Sequence, residues 1–377
     1  MYPALAVLNA LADEKRDQLD DDIHPGGDLQ VLWVGSVGGM ETDLVKREGV
    51  PFEAIPAAGV HGVGWRTLPG NLIQLARGFL AARRILKKFK PEVMFFTGGF
   101  VAVPMAIASM LTYKNRSRPR SLVYVPDIEP ALALKTVSRF ADRIAITVDE
   151  TRAYMKLRSK MVVTGYPVRA DLQKWDRERA LRTLQLSPGL PTVFIFGGSK
   201  GSRSINQAVQ KILPDLLREM QVIHISGTLD WQDIQVSQKL LFQRAGSEAF
   251  QRYKVYPYMH SEMGAAFTVA DLVVCRAGAS TLGELPLFGV PAILVPYPYA
   301  WRYQQVNAQY LAERGAALVL QDAKVSTDLL PLIRDLIHNR EKLSAMRTAM
   351  SGLVQPEAAK NIAGELRALA STIGGSL

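Results

Sequence analysis

The sequence predicts an α/β protein built from two doubly wound, Rossmann-like domains that face a cleft. Short apolar runs of strand length alternate with helical patterns along the chain, which is typical of a parallel sheet with helices on both faces. The two halves follow the same plan, and 377 residues suit two or three domains. A ligand is expected in the cleft between the halves.

Composition narrows the function classes. The net charge of +10 leaves nucleic acid, anionic membranes and phosphorylated ligands open as partners. No zinc-finger spacing, RNP-like aromatic motif or Lys/Arg-rich tail occurs, so no nucleic-acid partner is expected. The single cysteine, Cys275, excludes an intramolecular disulfide and a multi-cysteine metal site. Without a signal peptide or an apolar run of roughly 18 residues, a cytoplasmic protein is favoured.

The first half opens with a helical pattern over residues 1–8 and no strand before it. A doubly wound domain ordinarily opens with a strand and a Gly-rich turn. We therefore expect a fragment or a mis-assigned start, and a strand over 31–34 that lacks one neighbour. Further strands are predicted over 52–55, 93–96, 121–125, 143–147 and 161–164.

A basic amphipathic helix over residues 71–90 is the most informative element of this half. No acidic residue interrupts its charged side chains, which are Arg77, Arg83, Arg84, Lys87, Lys88 and Lys90. Such a helix can lie on an anionic membrane surface. The alternative is a helix that packs on the sheet and has a solvated basic face.

The predicted domains are residues 1–165 and 166–355, with a C-terminal helix over 356–377 that packs back on the first. The second domain opens with a strand over 192–196, a Gly-rich turn over 197–202 and a helix from Arg203. The turn matches neither a dinucleotide fingerprint nor a P-loop. Its glycines would let a phosphate approach the backbone, and Ser199 offers a hydroxyl. A tight structural turn is the alternative.

The stretch over residues 271–291 organises this half. An apolar strand ends in Cys275, breaks at Gly278 and leads into a helix over 281–288. Thr281 and Glu284 fit a capping box, which would leave free backbone N–H groups beyond the strand, where anionic ligands bind in such sheets. We interpret this turn as a binding site for the diphosphate and ribose of a sugar nucleotide. The alternative is that Glu284 only caps its helix.

Together these motifs resemble the MurG family, glycosyltransferases of family 28. The resemblance rests on Tyr2-Pro3-Ala4-Leu5-Ala6, Val163-Thr164-Gly165-x-Pro167-Val168-Arg169, Gly197-Gly198-Ser199-x-Gly201, Arg276-Ala277-Gly278-Ala279-x-Thr281-x-x-Glu284 and Gln304-Gln305-x-Asn307-Ala308. It implies a GT-B fold and an inverting transfer of N-acetylglucosamine from UDP-GlcNAc to undecaprenyl-diphospho-muramoyl-pentapeptide, the lipid I to lipid II step of peptidoglycan synthesis. It also implies a peripheral enzyme on the cytoplasmic face of the cell membrane, with no metal or other cofactor.

Carried onto this sequence, the resemblance implies a donor site largely in the second domain. Arg169 and Ser199 would meet the phosphates, and the backbone of His260 would contact uracil. Glu284 would accept hydrogen bonds from ribose hydroxyls. The implied UDP-GlcNAc-binding residues are Asp127, Arg169, Gly198, Ser199, His260, Ala279, Ser280, Thr281, Leu282, Gly283, Glu284, Gln304 and Gln305.

The sequence departs from the family in its first domain. The family's Gly-rich loop and its histidine are absent, and Tyr124-Val125-Pro126-Asp127 stands where the family has His-Glu-Gln-Asn. Trp301-Arg302-Tyr303 replaces an Asp-Arg before the glutamines. An inverting transfer needs a base for the acceptor hydroxyl, and Asp127 and His61 are the catalytic candidates. The alternative for each is a loop residue without a catalytic role.

Three other functions remain open at this point. One is a related glycosyltransferase acting on diacylglycerol. Another is a UDP-GlcNAc 2-epimerase, for which no catalytic carboxylates and histidine can be placed. The third is a catalytically inactive UDP-sugar-binding protein that keeps only the motifs of the second domain.

Overall fold

The computed structural model describes residues 1–19, 29–39, 41–57, 68–113, 117–298 and 303–374. The chain divides into two compact units. The first comprises Met1–Pro167 together with Glu357–Leu377, and the second comprises Val168–Pro356.

The described strands of the first unit are parallel, but they form two sheets. One contains β1 (Trp33–Ser36) and β2 (Phe52–Ile55). The other has the order β3 (Val93–Phe96), β4 (Arg120–Val125), β5 (Arg143–Ile146) and β6 (Met161–Val163). Within the described ranges β1 pairs with β2 alone. The single sheet expected from the alternating pattern is divided, because no described strand bonds to both β1 and β3.

Helices cover the strands of the first unit. They are α1 (Tyr2–Leu19), α2 (Glu41–Arg47), α3 (Leu68–Phe89), α4 (Ala102–Thr112), α5 (Leu132–Ser138) and, from the end of the chain, α14 (Ala358–Gly374). The predicted helix at residues 1–8 is confirmed and continues to Leu19. It packs on α14, where the Arg367 guanidinium donates to the Leu11 carbonyl at 3.3 Å.

The basic helix α3 packs one face on the core through Ala82, Ile85 and Leu86, which are buried. Each buried Leu or Ile side chain contributes about 1.5–3 kcal/mol. The helix ends at Phe89 because Lys90 adopts a left-handed φ of 51° and Pro91 cannot continue it. The remaining face, which carries the arginines and lysines, is exposed.

The second unit has one parallel sheet of six strands, in the order β12-β11-β10-β7-β8-β9. The strands are β7 (Thr192–Phe196), β8 (Gln221–Ile225), β9 (Tyr253–Tyr256), β10 (Leu272–Cys275), β11 (Ala292–Leu294) and β12 (Ala317–Val319). The helices are α6 (Arg177–Leu184), α7 (Arg203–Glu219), α8 (Trp231–Arg252), α9 (Glu262–Val269), α10 (Thr281–Phe288), α11 (Tyr303–Glu313), α12 (Val325–His338) and α13 (Arg340–Ser351).

Strand order in this sheet reverses between β7 and β10. The chain first builds outward from β7 to β9 and then returns to place β10 on the other side of β7. Every residue of β7, β8, β10 and β11 is buried, as both faces of a covered parallel sheet require. In open α/β sheets, ligands bind beyond the carboxyl ends of the strands at such a switch point.

Candidate functional site

Two turns leave the sheet at the switch point of the second unit. We name them the glycine turn (residues 197–202), which follows β7, and the helix-entry turn (residues 276–280), which follows β10. Because β7 and β10 are hydrogen-bonded neighbours from Leu272 to Cys275, their turns emerge side by side.

The backbone of the glycine turn packs closely against the residues that follow β8. The Gly201 amide donates to the Gly198 carbonyl at 2.9 Å, and both glycines have left-handed φ, of 86° and 91°. A Cβ atom at Gly201 would lie 2.1 Å from the Ser226 carbonyl oxygen, so only glycine fits there. Gly198 and Ser199 remain exposed at the tip, where a phosphate could approach.

The helix after the second turn begins at Thr281 and ends at Phe288, as predicted, but the predicted capping box is wrong. Ser280 already has helical φ and ψ, so Thr281 is the first residue inside the helix. Its hydroxyl donates to the Gly278 carbonyl at 2.7 Å and does not receive the amide of Glu284, which donates to the Ser280 carbonyl at 2.8 Å.

The free amides also lie earlier than predicted. Those of Thr281, Leu282 and Gly283 donate to carbonyls three residues before them, at 3.0–3.1 Å. In the part of the chain that the structure describes, the Ala279 and Ser280 amides make no backbone hydrogen bond. An anion would therefore be received by these two amides at the positive end of α10.

The carboxyl group of Glu284 has a shifted pKa. Burial raises its pKa from the ordinary value to about 7, while a hydrogen bond from Ser280 and the positive charge of Arg169 act in the opposite direction. Perturbed carboxyls of this kind cluster at functional sites. Cys275, next to this turn, is fully buried, and burial raises the pKa of its thiol.

Arg169 and His260 lie together, as their predicted roles require. The Arg169 guanidinium donates to the His260 carbonyl at 3.4 Å and pairs with the Asp171 carboxylate at 3.3 Å. Arg169 also acts electrostatically on Glu284, so it interacts with two other predicted donor-binding residues.

Gln304 and Gln305 lie in the first turn of α11, and both are partly buried. The Gln304 side-chain oxygen accepts the Tyr297 amide at 2.9 Å, which orients its NH2 group for another partner. Asn307 is fully buried and donates to the Ala277 carbonyl at 3.1 Å, so α11 is fastened to the helix-entry turn.

A buried chain of hydrogen bonds begins at the Ser226 carbonyl, which lies against Gly201 of the glycine turn. The Asn206 NH2 group donates to the Ser226 carbonyl and to Asp230, both at 2.8 Å, so its oxygen faces His224 Nε2 at 3.0 Å. Nε2 must then carry the proton, and Nδ1 accepts from the Tyr253 hydroxyl at 2.9 Å. His224 is neutral, because burial lowers its pKa to about 4.

Arg276 and Asn307 stand within the family motifs, but no role was predicted for them. Asn206 was not predicted as a functional residue. The signal was present in the sequence. Each is a polar residue directly after an apolar strand or on the apolar face of a helix, where a polar side chain needs buried partners.

The first unit holds the remaining candidates. Asp127 is partly buried in the loop after β4, and His61 lies outside the described residues. Tyr124 is fully buried, its hydroxyl lies 2.9 Å from Thr147 Oγ1, and burial raises its pKa far above the ordinary value. Tyr124 is thus part of the core and cannot serve as a base where the family has histidine. Within the described ranges no group of three His, Cys, Asp or Glu could hold a metal, and no helix is long and apolar enough to cross a membrane.

The chain matches both halves of one family, with residues 1–146 matching the Glycosyltransferase family 28 N-terminal domain and residues 192–363 the Glycosyltransferase family 28 C-terminal domain. The UDP-N-acetylglucosamine--N-acetylmuramyl-(pentapeptide) pyrophosphoryl-undecaprenol N-acetylglucosamine transferase of Roseiflexus sp. (strain RS-1) is 37% identical, with 96% of this chain and 91% of the relative covered. The transferase of the same name from Desulforudis audaxviator (strain MP104C) is 36% identical, with 96% and 93% covered. The crystal structure of Acinetobacter baumannii MurG superposes with a TM-score of 0.69 at 23% identity, covering 97% of this chain and 95% of that chain.

Two parallel α/β units and this structural likeness define a GT-B fold, which confirms the predicted fold class. The chain belongs to glycosyltransferase family 28, and its predicted resemblance to the MurG family is confirmed.

Proposed function

We propose that this chain transfers N-acetylglucosamine, with inversion, from UDP-GlcNAc to undecaprenyl-diphospho-muramoyl-pentapeptide. The observation that carries the proposal is identity of 36–37% over 96% of the chain to transferases named for this reaction. The cluster of Arg169, Glu284 and the two turns at the switch point supports a nucleotide-sugar donor, because it offers amides and a cation to phosphates and a carboxylate to hydroxyls.

The donor contacts follow from these groups. The diphosphate would lie between the Ser199 hydroxyl and the Ala279 and Ser280 amides. Glu284 would accept from the ribose hydroxyls, and the NH2 group of Gln304 together with Gln305 would bind the GlcNAc hydroxyls. In the transfer step negative charge develops on the departing UDP, and fixed amides plus the Arg169 guanidinium would stabilise it.

Asp127 is our first candidate for the base, with His61 as the second. Asp127→Asn keeps the size of the side chain and removes its basicity. If Asp127 takes the acceptor proton, the rate should fall about 10²–10⁴-fold, with little change in donor affinity. An unchanged rate would exclude Asp127, and the same comparison with His61→Gln would then decide the second candidate.

We infer a peripheral position on the cytoplasmic face of the cell membrane, through α3 and its neighbour α4. Besides its exposed arginines and lysines, α3 exposes Leu72, Ile73 and Leu80, and α4 exposes Ile107, Met110 and Leu111. Apolar and basic side chains on adjoining helices suit an anionic bilayer surface.

Vesicle flotation tests this surface. The triple variant Arg83→Gln, Arg84→Gln, Lys87→Gln should lose binding to vesicles with anionic lipid. A control variant with Arg179→Gln and Arg182→Gln, which changes exposed α6 residues of the second unit, should bind as the unaltered chain does. Equal binding of both variants would contradict the inference.

Transfer of labelled GlcNAc from UDP-GlcNAc to a lipid-linked muramoyl-pentapeptide analogue tests the reaction itself. Turnover with this acceptor and none with diacylglycerol is expected. Turnover with diacylglycerol alone would establish the related lipid glycosyltransferase. UDP binding without turnover on either acceptor would indicate a protein that binds a UDP-sugar without catalysis.

A further inference from the structure

Arg276, the first residue of the helix-entry turn, has a buried guanidinium group with only 11% of its side chain exposed. Its Nη1 donates to the carbonyls of Val295 and Pro296, at 3.1 and 3.2 Å, and lies 2.7 Å from the Asp322 carboxylate. Its Nη2 donates to the hydroxyls of Ser202 and Ser204, at 2.6 and 2.9 Å. Two nitrogens with four N–H groups thus face five acceptors.

These partners come from three strand exits, and Arg276 itself adds a fourth. Ser202 and Ser204 belong to the glycine turn and the start of α7, and Arg276 itself follows β10. Val295 and Pro296 follow β11 and lead to Tyr297, whose amide holds Gln304. Asp322 follows β12 and also accepts from the Ser204 hydroxyl at 2.7 Å.

We propose that Arg276, paired with Asp322, is a positioning residue that sets the glycine turn, the helix-entry turn and residues 295–297, which hold Gln304, into one donor-binding arrangement. It is not a phosphate ligand, because its Nη hydrogens are already directed at protein acceptors. This proposal rests on the proposed function, in that it assigns the arrangement to a nucleotide-diphosphate donor.

A planar guanidinium is required for this arrangement. Its fork reaches carbonyls on one side and hydroxyls on the other in a fixed geometry, whereas a lysine ammonium is a point charge that cannot span them. Removing either member of the buried pair leaves the other charge without compensation. Arg276→Lys and Asp322→Asn should therefore act alike, although neither side chain touches the donor.

UDP binding by titration calorimetry, with the full chain, is the test. Arg276→Lys and Asp322→Asn should each raise the Kd for UDP at least tenfold. In steady-state transfer they should raise the KM for UDP-GlcNAc by a similar factor and leave the KM for the acceptor unchanged. The matched control is Arg334→Lys, whose guanidinium pairs with Glu219 at 2.7 Å, at the end of α7 away from the glycine turn. It should lower the unfolding temperature and leave the Kd for UDP unchanged.

The outcomes separate the two proposals. An unchanged Kd in Arg276→Lys and Asp322→Asn, or an equal change in Arg334→Lys, would overturn the positioning role. Should both variants fail to fold, Ser204→Ala removes one shared acceptor and should raise the Kd about threefold; no change there would also overturn it. If the unaltered chain binds UDP but transfers no GlcNAc, the proposed function fails while the variant Kd values still decide the role of Arg276. If it binds no UDP, both proposals fail.

Discussion

The two units differ in how their strands pair and in what their buried polar side chains contact. In the second, six parallel strands form one sheet, and buried polar side chains join the turns at its switch point. In the first, the described strands form two sheets, and the Tyr124 hydroxyl is buried against Thr147. The difference teaches that side chains distant in sequence fix the turns of the second unit, whereas the described strands of the first unit are not joined in one sheet.

The largest effect on stability and UDP binding is expected when a glycine is replaced in the Gly-rich turn of the second unit, compared with the same replacement in the first unit. Gly201→Ala combines a left-handed φ with a Cβ atom 2.1 Å from a backbone oxygen, whereas Gly99 has a φ of 80° and open space around it. Gly201→Ala should cost roughly 2–5 kcal/mol and weaken UDP binding more than tenfold. Gly99→Ala should cost about 1–2 kcal/mol and leave UDP binding unchanged. Thermal unfolding and calorimetry measure both, and equal losses in the two variants would remove the contrast.

A pH effect on stability should arise at His224 in the second unit. His224 has a folded pKa of about 4, and in the unfolded chain its pKa is near 6.5. Between these values the unfolded state binds the proton, so the stabilisation is complete above pH 6.5 and is lost as the pH falls to about 4. The loss should reach about 3 kcal/mol.

Urea unfolding between pH 7 and pH 4, followed by hydrogen exchange in peptides of each unit, measures this effect. His224→Gln is less stable at pH 7 but should lack this part of the pH dependence. Peptides that contain His224, Asn206 and Tyr253 should respond most strongly, because these side chains are joined by hydrogen bonds. Glu284, whose folded pKa is raised, acts with the opposite sign, so the contribution of His224 is the difference in unfolding free energy between the unaltered chain and His224→Gln. A difference that does not change with pH would assign the effect to other groups.

Glu284 should make donor binding pH-dependent. Its pKa of about 7 means that, below pH 7, the free protein must lose a proton before the carboxylate can accept from ribose hydroxyls. The Kd for UDP should therefore rise about tenfold between pH 8 and pH 6. UDP itself titrates in this range, so Glu284→Gln is the control, and it should show only the smaller dependence of the nucleotide. If the Kd for UDP depends on pH identically in the unaltered chain and in Glu284→Gln, Glu284 does not contact the donor.

The strands and the family motifs could be predicted from sequence because they are local patterns. The strands at 52–55, 93–96 and 192–196 have the predicted bounds, since each is an apolar run closed by turn residues. β12 was not predicted, although it lies within an apolar run over residues 316–320. The capping box failed because Thr281 and Glu284 have the right spacing, while the helical backbone at Ser280, which sequence cannot show, shifts the cap.

The buried polar contacts could not be predicted for a different reason. Arg276 meets Ser202, Val295 and Asp322 only because the strand order brings distant turns to one edge of the sheet. Local patterns carry no information about such pairings. A charged residue directly after a buried strand was the available signal, and it predicts that partners exist without saying which.

The smallest effect compares two buried tyrosines, one in each unit. Tyr124 donates to a threonine hydroxyl that itself donates to the Pro126 carbonyl at 2.9 Å, so Tyr124→Phe leaves no new polar atom without a partner. Its cost should be about 1 kcal/mol, with transfer activity retained. Tyr253→Phe leaves His224 Nδ1 without its donor and should cost about 1–3 kcal/mol. Thermal unfolding of both variants, with GlcNAc transfer as the second readout, makes the comparison. Loss of transfer in Tyr124→Phe at full stability would give this hydroxyl a catalytic part and would contradict its assignment to the core.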